Sequence, residues 1–139
     1  MAGSGEEIVR SVVDVINGSE SVDAAMAALE GLMHPEIEYV NPKDAIEGGT
    51  RTGVAGMRTV LENFIAGAGG GATIELEQVE ERGDRVFSRG RVHARGTSSG
   101  AEAVGPPTAS IYTLRDGRVL RIEWHYDVAE ARTRFEQDG

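Results

Sequence analysis

The stretch Glu123-Trp124-His125-Tyr126-Asp127 packs two carboxylates, an imidazole, an indole and a phenol into five consecutive positions. On a strand, Glu123, His125 and Asp127 share one face, because side chains alternate with period two. A carboxylate–imidazole–carboxylate row can orient a histidine as a general base, or, together with His93, offer ligands to a metal. A plainer account fits better. Arg89, Arg91, His93 and Arg95 alternate along an earlier run, and basic residues beside acidic ones on a neighbouring strand make cross-strand pairs on a polar face. That face could equally be a dimer contact, and no metal site is expected. Asp127 is also well placed as the N-cap of a following helix, a role aspartate fills readily.

The opposite face carries Leu120, Ile122, Trp124 and Tyr126. A face of this kind is either core or the wall of a ligand pocket, since each such side chain gains on the order of 1.5–3 kcal/mol when withdrawn from water. Trp and Tyr each carry a polar group that needs a partner, which suits a pocket that is apolar with a few polar points.

These faces have to be positioned by the rest of the chain. Ser4 and Glu7 have capping-box spacing, Ile8, Val12, Val15 and Ile16 recur at helical spacing, and Asn17-Gly18 supplies a left-handed stop. A second helix begins near Ser21 with Val22, Ala25, Leu29 and Leu32 on one face, and His34-Pro35 is expected to end it. His34 would then serve the last carbonyls. Ile37, Tyr39 and Asn41 form a short strand stopped by Pro42. A loop with Gly48, Gly49 and Gly53 leads to a third helix carrying Val54, Met57, Leu61 and Phe64.

Beyond Gly71 the period changes from 3.6 to 2. Strands are expected near 72–81, 84–96, 102–115 and 118–127, with tight turns at Gly83-Asp84 and at Asp116-Gly117, the strongest hairpin signal in the chain. A last helix near Asp127 carries Ala131, Arg134 and Phe135. Helices first and antiparallel strands after define an α+β class. The 139 residues suit one domain, with residues 1–5 expected to lie outside its ordered part.

Composition narrows the functions. A net charge of −9 opposes nucleic-acid binding, which needs clustered Lys and Arg. The absence of cysteine removes thiol nucleophiles and thiolate metal sites. No leader-like segment or membrane-spanning apolar run is present, and a cytoplasmic protein is the default expectation. Two spellings carry no function. Gly67-Ala-Gly69-Gly-Gly-Ala72 has the letters of a dinucleotide fingerprint, but it follows a helix and precedes a strand, the reverse of what the motif needs. Arg82-Gly83-Asp84 falls where a hairpin must turn.

With these residues in view, the chain resembles the SnoaL-like branch of the ketosteroid-isomerase-like superfamily, which has the nuclear transport factor fold. The resemblance rests on Asn17-Gly18, Leu32-Met-His-Pro-Glu-Ile-Glu-Tyr-Val-Asn-Pro42, Gly53-Val-Ala-Gly56, Gly105-Pro-Pro-Thr108, Tyr112-Thr-Leu-Arg-Asp-Gly117 and Glu123-Trp-His-Tyr-Asp127. It implies a cone-shaped, curved, mixed or antiparallel sheet wrapped by three to four helices, a cystatin-like barrel. It also implies a pocket on the concave side and a homodimer through the outer sheet face. Leu120, Ile122, Trp124 and Tyr126 would then line the pocket, with His125 toward a partner subunit.

The resemblance transfers little chemistry. Isomerases of the superfamily place an aspartate before the proline of the first strand, where this chain has Asn41, and an amide does not titrate as a general base. The two positions that stabilise their dienolate oxygen fall on Val12 and Ser110, which leaves an oxyanion hole largely missing. The expectation is therefore a small apolar ligand in a pocket lined by Tyr39, Asn41, Phe64, Ser110, Tyr112, Ile122, Trp124 and Tyr126, without a cofactor. If the chain is an enzyme, Asp127 would be the acid/base and Asn41 and Tyr39 would position an oxygen for isomerisation, dehydration or cyclisation. A non-catalytic binding protein and a dimeric interaction module are the alternatives.

Overall fold

The computed structural model describes residues 4–19, 21–41, 49–67, 72–95 and 102–137. In chain order it contains α1 (Gly5–Gly18), α2 (Val22–Leu29), β1 (Met33–Asn41), β2 (Gly49–Thr52), α3 (Gly53–Gly67), β3 (Ala72–Arg82), β4 (Arg85–Arg95), β5 (Glu102–Val104), β6 (Thr108–Arg115), β7 (Arg118–His125) and α4 (Val128–Gln137). This is an α+β architecture on a curved, open, mixed sheet.

The helix starts follow the capping chemistry. Ser4 Oγ accepts the Glu7 N–H at 3.2 Å and Ser21 Oγ accepts the Ala24 N–H at 3.1 Å, each satisfying a donor that the helix leaves open. Ser4 is thus the N-cap of α1 and Gly5 its first residue. Gly5 is buried, and a Cβ there would stand 2.9 Å from Leu114 and Val86 side-chain atoms.

Three boundaries depart from expectation. No left-handed residue ends α1: Gly18 is helical and Ser19 is extended. Asn17 instead clamps the backbone of β3, donating to Ile74 O at 2.9 Å and accepting from Ile74 N at 2.8 Å. Helix α2 stops at Leu29, short of His34-Pro35, which lies inside β1. Pro35 lacks an N–H, and the pairing of β1 with β7 shifts register between Met33 and Glu38 around it. His34 serves no helix end; its Nδ1 accepts the Glu36 N–H at 3.0 Å. Finally, the glycine-containing loop before α3 ends in strand β2, which pairs antiparallel with β1. Pro42 and Gly48 lie outside the described residues.

The sheet order is β2-β1-β7-β6-β4-β3, with β1 and β7 parallel and the other pairs antiparallel. The expected 102–115 strand is two pieces, and both pair with β4. Gly105-Pro106-Pro107 interrupts it, because proline donates nothing to a ladder. The Asp116-Gly117 hairpin forms as expected, with φ of 55° and 75° at the two turn residues.

Alternation splits the core into two. Val86, Tyr112, Val119 and Ile122 face α1, α2 and α3 and pack with Val9, Leu29, Ile37 and Leu61. Their strand neighbours Phe87 and Ile111 point the other way and pack with Ala131 and Phe135 of α4. The Phe87 and Phe135 rings are 5.7 Å apart. Helix α4 is further held by two bonds from Arg132 to Glu80, at 2.8 and 3.1 Å, and by Arg85 Nη1 donating to Phe135 O at 3.0 Å. The outer sheet face is therefore partly covered by the chain's own last helix.

Candidate functional site: a cavity on the concave face

Cross-strand register builds the site. One row across the sheet runs Arg51, Tyr39, Ile122, Tyr112 and Val86, on β2, β1, β7, β6 and β4. Two residues along, a second row runs Trp124, Ser110 and Ser88. Two further along, Thr108, Gly90 and Leu76 are neighbours. Residues two apart in a strand share a face, so these rows stack into one wall. Opposite them stand Val12 and Ile16 of α1 and Met57, Val60, Leu61 and Phe64 of α3. Together, with Val86 left in the core beneath them, they line a cavity of about 560 Å³.

The polar points are few and mostly neutral. Ser88 and Ser110 face each other across β4 and β6, and Ser110 neighbours Tyr112 two residues along the same face of β6. Burial raises the Tyr112 pKa above the usual phenol range, and the Ser88 and Ser110 hydroxyls oppose the shift. Tyr39 is likewise pushed well above that range, by burial first and then by Tyr112 and Tyr126 nearby. Both phenols thus remain protonated donors at neutral pH. Trp124 and Tyr126 pack edge to face with centroids 5.1 Å apart, and Tyr126 is 50% exposed at the cavity's rim.

Tyr39, Asn41, Phe64, Ser110, Tyr112, Ile122, Trp124 and Tyr126 all line this cavity, as does Val12, which the resemblance pairs with Ser110 at the isomerase oxyanion positions. Val12 offers no donor there and Ser110 offers a hydroxyl. The Asn41 amide stands 3.5 Å from Gly49 O. Asp127 is not among the lining residues. It is exposed, and its Oδ1 accepts the Glu130 N–H at 3.0 Å, capping α4. Leu120 does not line the cavity either, because a register shift between Thr113 and Leu114 pairs Leu114 with Val119. That bulge turns Val119 into the core and takes Leu120 out of the alternating set.

The Glu123–His125 face is separate from the cavity. Glu123 is buried and binds Arg134 Nε at 2.7 Å, with His125 Nε2 3.7 Å from the same carboxylate. His93 contacts Glu75 of β3 at 2.7 Å, so it does not join His125, and among the described residues no cluster of three metal-binding side chains forms. The cross-strand pairs of β4 run to β3, where Glu77 meets Arg89 at 3.4 Å and Arg91 at 3.1 Å.

Arg51, Ser88, Gly90, Arg91 and Thr108 also line the cavity. Ser88 and Gly90 share a face with Val92 by simple alternation, a legible signal. Arg51 sits on the short β2, which has no periodic pattern to reveal it. Among the described residues the lining holds no carboxylate and no imidazole.

A curved mixed sheet with three helices over a concave cavity and a fourth behind it defines the cystatin-like class of α+β folds. Within that class, the model of the SnoaL-like domain family matches residues 9–122, and the chain belongs to that family. A search of curated proteins gives no match. Among solved structures, the chain is similar to TerC co-crystallised with polyporic acid, at 25% identity and a TM-score of 0.69 over 91% of this chain and 94% of that one. It is also similar to a hypothetical protein with a ketosteroid-isomerase-like fold from Catenulispora acidiphila in complex with trimethylamine (17% identity, TM-score 0.67, 90% and 88% covered). A cystatin-like protein of unknown function from Xanthomonas campestris shares 16% identity with a TM-score of 0.71 over 93% and 95% of the two chains.

Proposed function

We propose that this SnoaL-like protein binds one small, largely apolar, oxygen-bearing molecule in the concave cavity. The observation that carries the reading is a largely apolar chamber of about 560 Å³ whose lining includes the neutral phenols Tyr39 and Tyr112. That is the general form of a small-molecule site, and the volume fits a ligand of two or three rings. Two proteins of similar structure, TerC with polyporic acid and the Catenulispora acidiphila protein with trimethylamine, were crystallised with small molecules, which supports the class but not the compound.

Binding is preferred over turnover. Isomerisation, dehydration or cyclisation by acid/base catalysis is best served by a group that both takes and gives a proton near neutral pH, and the described lining offers neither a carboxylate nor an imidazole. Asp127, the acid/base candidate in the sequence, has its carboxylate on the α4 N-terminus, outside the cavity. A homodimer through the outer face would have to use the strips that α4 leaves uncovered, and sedimentation velocity tests that assembly.

The test uses the chain's single tryptophan. Trp124 emission is followed while polycyclic ketones, terpenoid alcohols and aromatic polyketide mimics are titrated. Saturable quenching that is lost in Tyr39→Ala supports the reading. An unchanged spectrum across the panel, with Trp124 shielded from a soluble quencher, counts against it.

A further inference from the structure

Helix α1 is tied to strand β3 at both ends. At its start the Glu6 N–H donates to Glu81 Oε1 at 3.0 Å, and at its end the Asn17 amide takes both backbone groups of Ile74, at 2.9 and 2.8 Å. Strand β3 is last in the sheet order, so among the described residues no strand pairs with the groups it turns away from β4. The Asn17 amide fills that place with one donor and one acceptor, as a neighbouring strand would. The latch bears on the cavity, because Ile74 and Ile16, the residue before Asn17, both line it. A carboxylate of the same size could not replace it. It would still accept from the Ile74 N–H, but it would set a charged oxygen against Ile74 O with no proton between them. It would also add negative charge to the last turn of a helix that has no basic residue there, three residues after Asp14.

Asn17 is followed by glycine, the sole Asn-Gly pair in the chain. With no side chain on Gly18 to obstruct it, the Gly18 backbone nitrogen can attack the Asn17 Cγ. The new C–N bond closes a succinimide ring, and the amide nitrogen leaves as ammonia, carrying off the Gly18 amide proton. Water then opens the ring at one of its two carbonyls, giving aspartate, or isoaspartate with an extra methylene in the main chain. One water is taken up and one ammonia released, and nothing is oxidised or reduced. The folded helix holds this reaction back twice. Gly18 gives its N–H to the carbonyl four residues earlier, and the Asn17 carboxamide is fixed on Ile74. Attack therefore waits for the last turn of α1 to open. Gly18 is exposed at that end, where helices open most readily.

We infer that Asn17 is a modification site: a deamidation position guarded by the fold, whose acidic product cannot rebuild the latch. Conversion frees the edge strand β3 from α1 and loosens the cavity wall at Ile74. The change is one-way, because the lost ammonia is not returned.

The experiment incubates the folded protein in warm, mildly alkaline buffer beside the same protein unfolded in urea, and peptide mass spectrometry follows Asn17. Conversion is expected in both, at least about tenfold slower in the folded protein, since only the open fraction reacts. Gly18→Ala is the control. A Cβ there meets nothing within 4 Å and the residue is helical, so the latch stays while the added methyl hinders the attack and slows conversion. Asn17→Asp supplies the product directly, and the aged wild-type protein, separated from unreacted chains by its added charge, supplies it in a chain that folded with asparagine. In both, hydrogen exchange of the β3 and β4 amides around Ile74 and Val92 should quicken about tenfold, the scale of one lost hydrogen bond, while β6 and β7 amides keep their protection. Retention of Asn17 in the folded protein overturns the site, whatever the unfolded chain does. Equal rates in the two states overturn the guarding by the fold. Exchange that is unchanged, or quickened alike in every strand, overturns the link to β3.

Discussion

Asp127 Oδ1 accepts the backbone N–H of Glu130 at 3.0 Å, so the carboxylate closing the last strand is bound to the start of the last helix. Position 127 was the natural place to look for an acid/base. Its carboxylate instead satisfies one of the open donors of α4 and meets the positive end of the helix dipole. Asp127→Ala is expected to lower stability by about 1 kcal/mol, and Asp127→Asn, which keeps a capping oxygen, by much less. Urea denaturation checks both. The same variants bind a cavity ligand with unchanged affinity; a loss of affinity with stability intact would return Asp127 to the site.

Glu123 and Arg134 form the second anchor of α4. The Glu123 side chain is 9% exposed and its partner nitrogen is 2.7 Å away, while the arginine remains 47% exposed. Removing the cation leaves a buried carboxylate without its main partner, so Arg134→Met should cost about 1–3 kcal/mol. Glu123→Gln removes the charge along with the need to balance it. The double variant should therefore be more stable than Arg134→Met alone, and a double-mutant cycle measures the difference.

Much of this was legible in the residues. Alternation along Ile122, Trp124 and Tyr126 put three side chains on one wall, and the cavity forms there. The Ser4 and Ser21 caps and the Asp116-Gly117 turn are local chemistry, and local chemistry reads directly from sequence. What escaped is long-range. Leu120 drops out because one residue of β7 is out of step with β6, and a bulge leaves no mark in composition. Arg51 was invisible because β2 is four residues long and exists through its pairing with β1. Phe135 was placed on the last helix, but no periodicity says which sheet face that helix will cover.

Tyr39 and Tyr112 give the protein an alkaline limit. Both phenols have raised pKa values in the fold, so they keep their protons while an unfolded chain begins to lose them near pH 10. Above that pH the unfolded state binds fewer protons, and stability must fall as pH rises. Below it these groups contribute no pH dependence. Phenolate absorbance from Tyr39 and Tyr112 is expected to appear with unfolding, not before it, and Tyr39→Phe and Tyr112→Phe each remove part of the alkaline slope. Normal titration of both phenols in the native protein would contradict the burial that causes the shift.

Gly90 ties stability to the cavity wall. A Cβ at this position would stand 2.3 Å from the carbonyl oxygen of Glu75, a backbone atom that no rotamer change can move aside. The contact lies where β3 pairs Leu76 with Gly90 and then shifts register before Gln78. Gly90→Ala must therefore push β3 away from β4, and with it Ile74 and Leu76 of the lining. The expected cost is on the order of 1–3 kcal/mol, as for other overpacked sites. Because the displaced strand is also cavity wall, ligand affinity should fall in the fraction that remains folded, measured by Trp124 quenching below the denaturation midpoint. A stability loss with affinity unchanged would mean that the strain is relieved elsewhere, in the β3–β4 hairpin, and that Leu76 holds its place without Gly90.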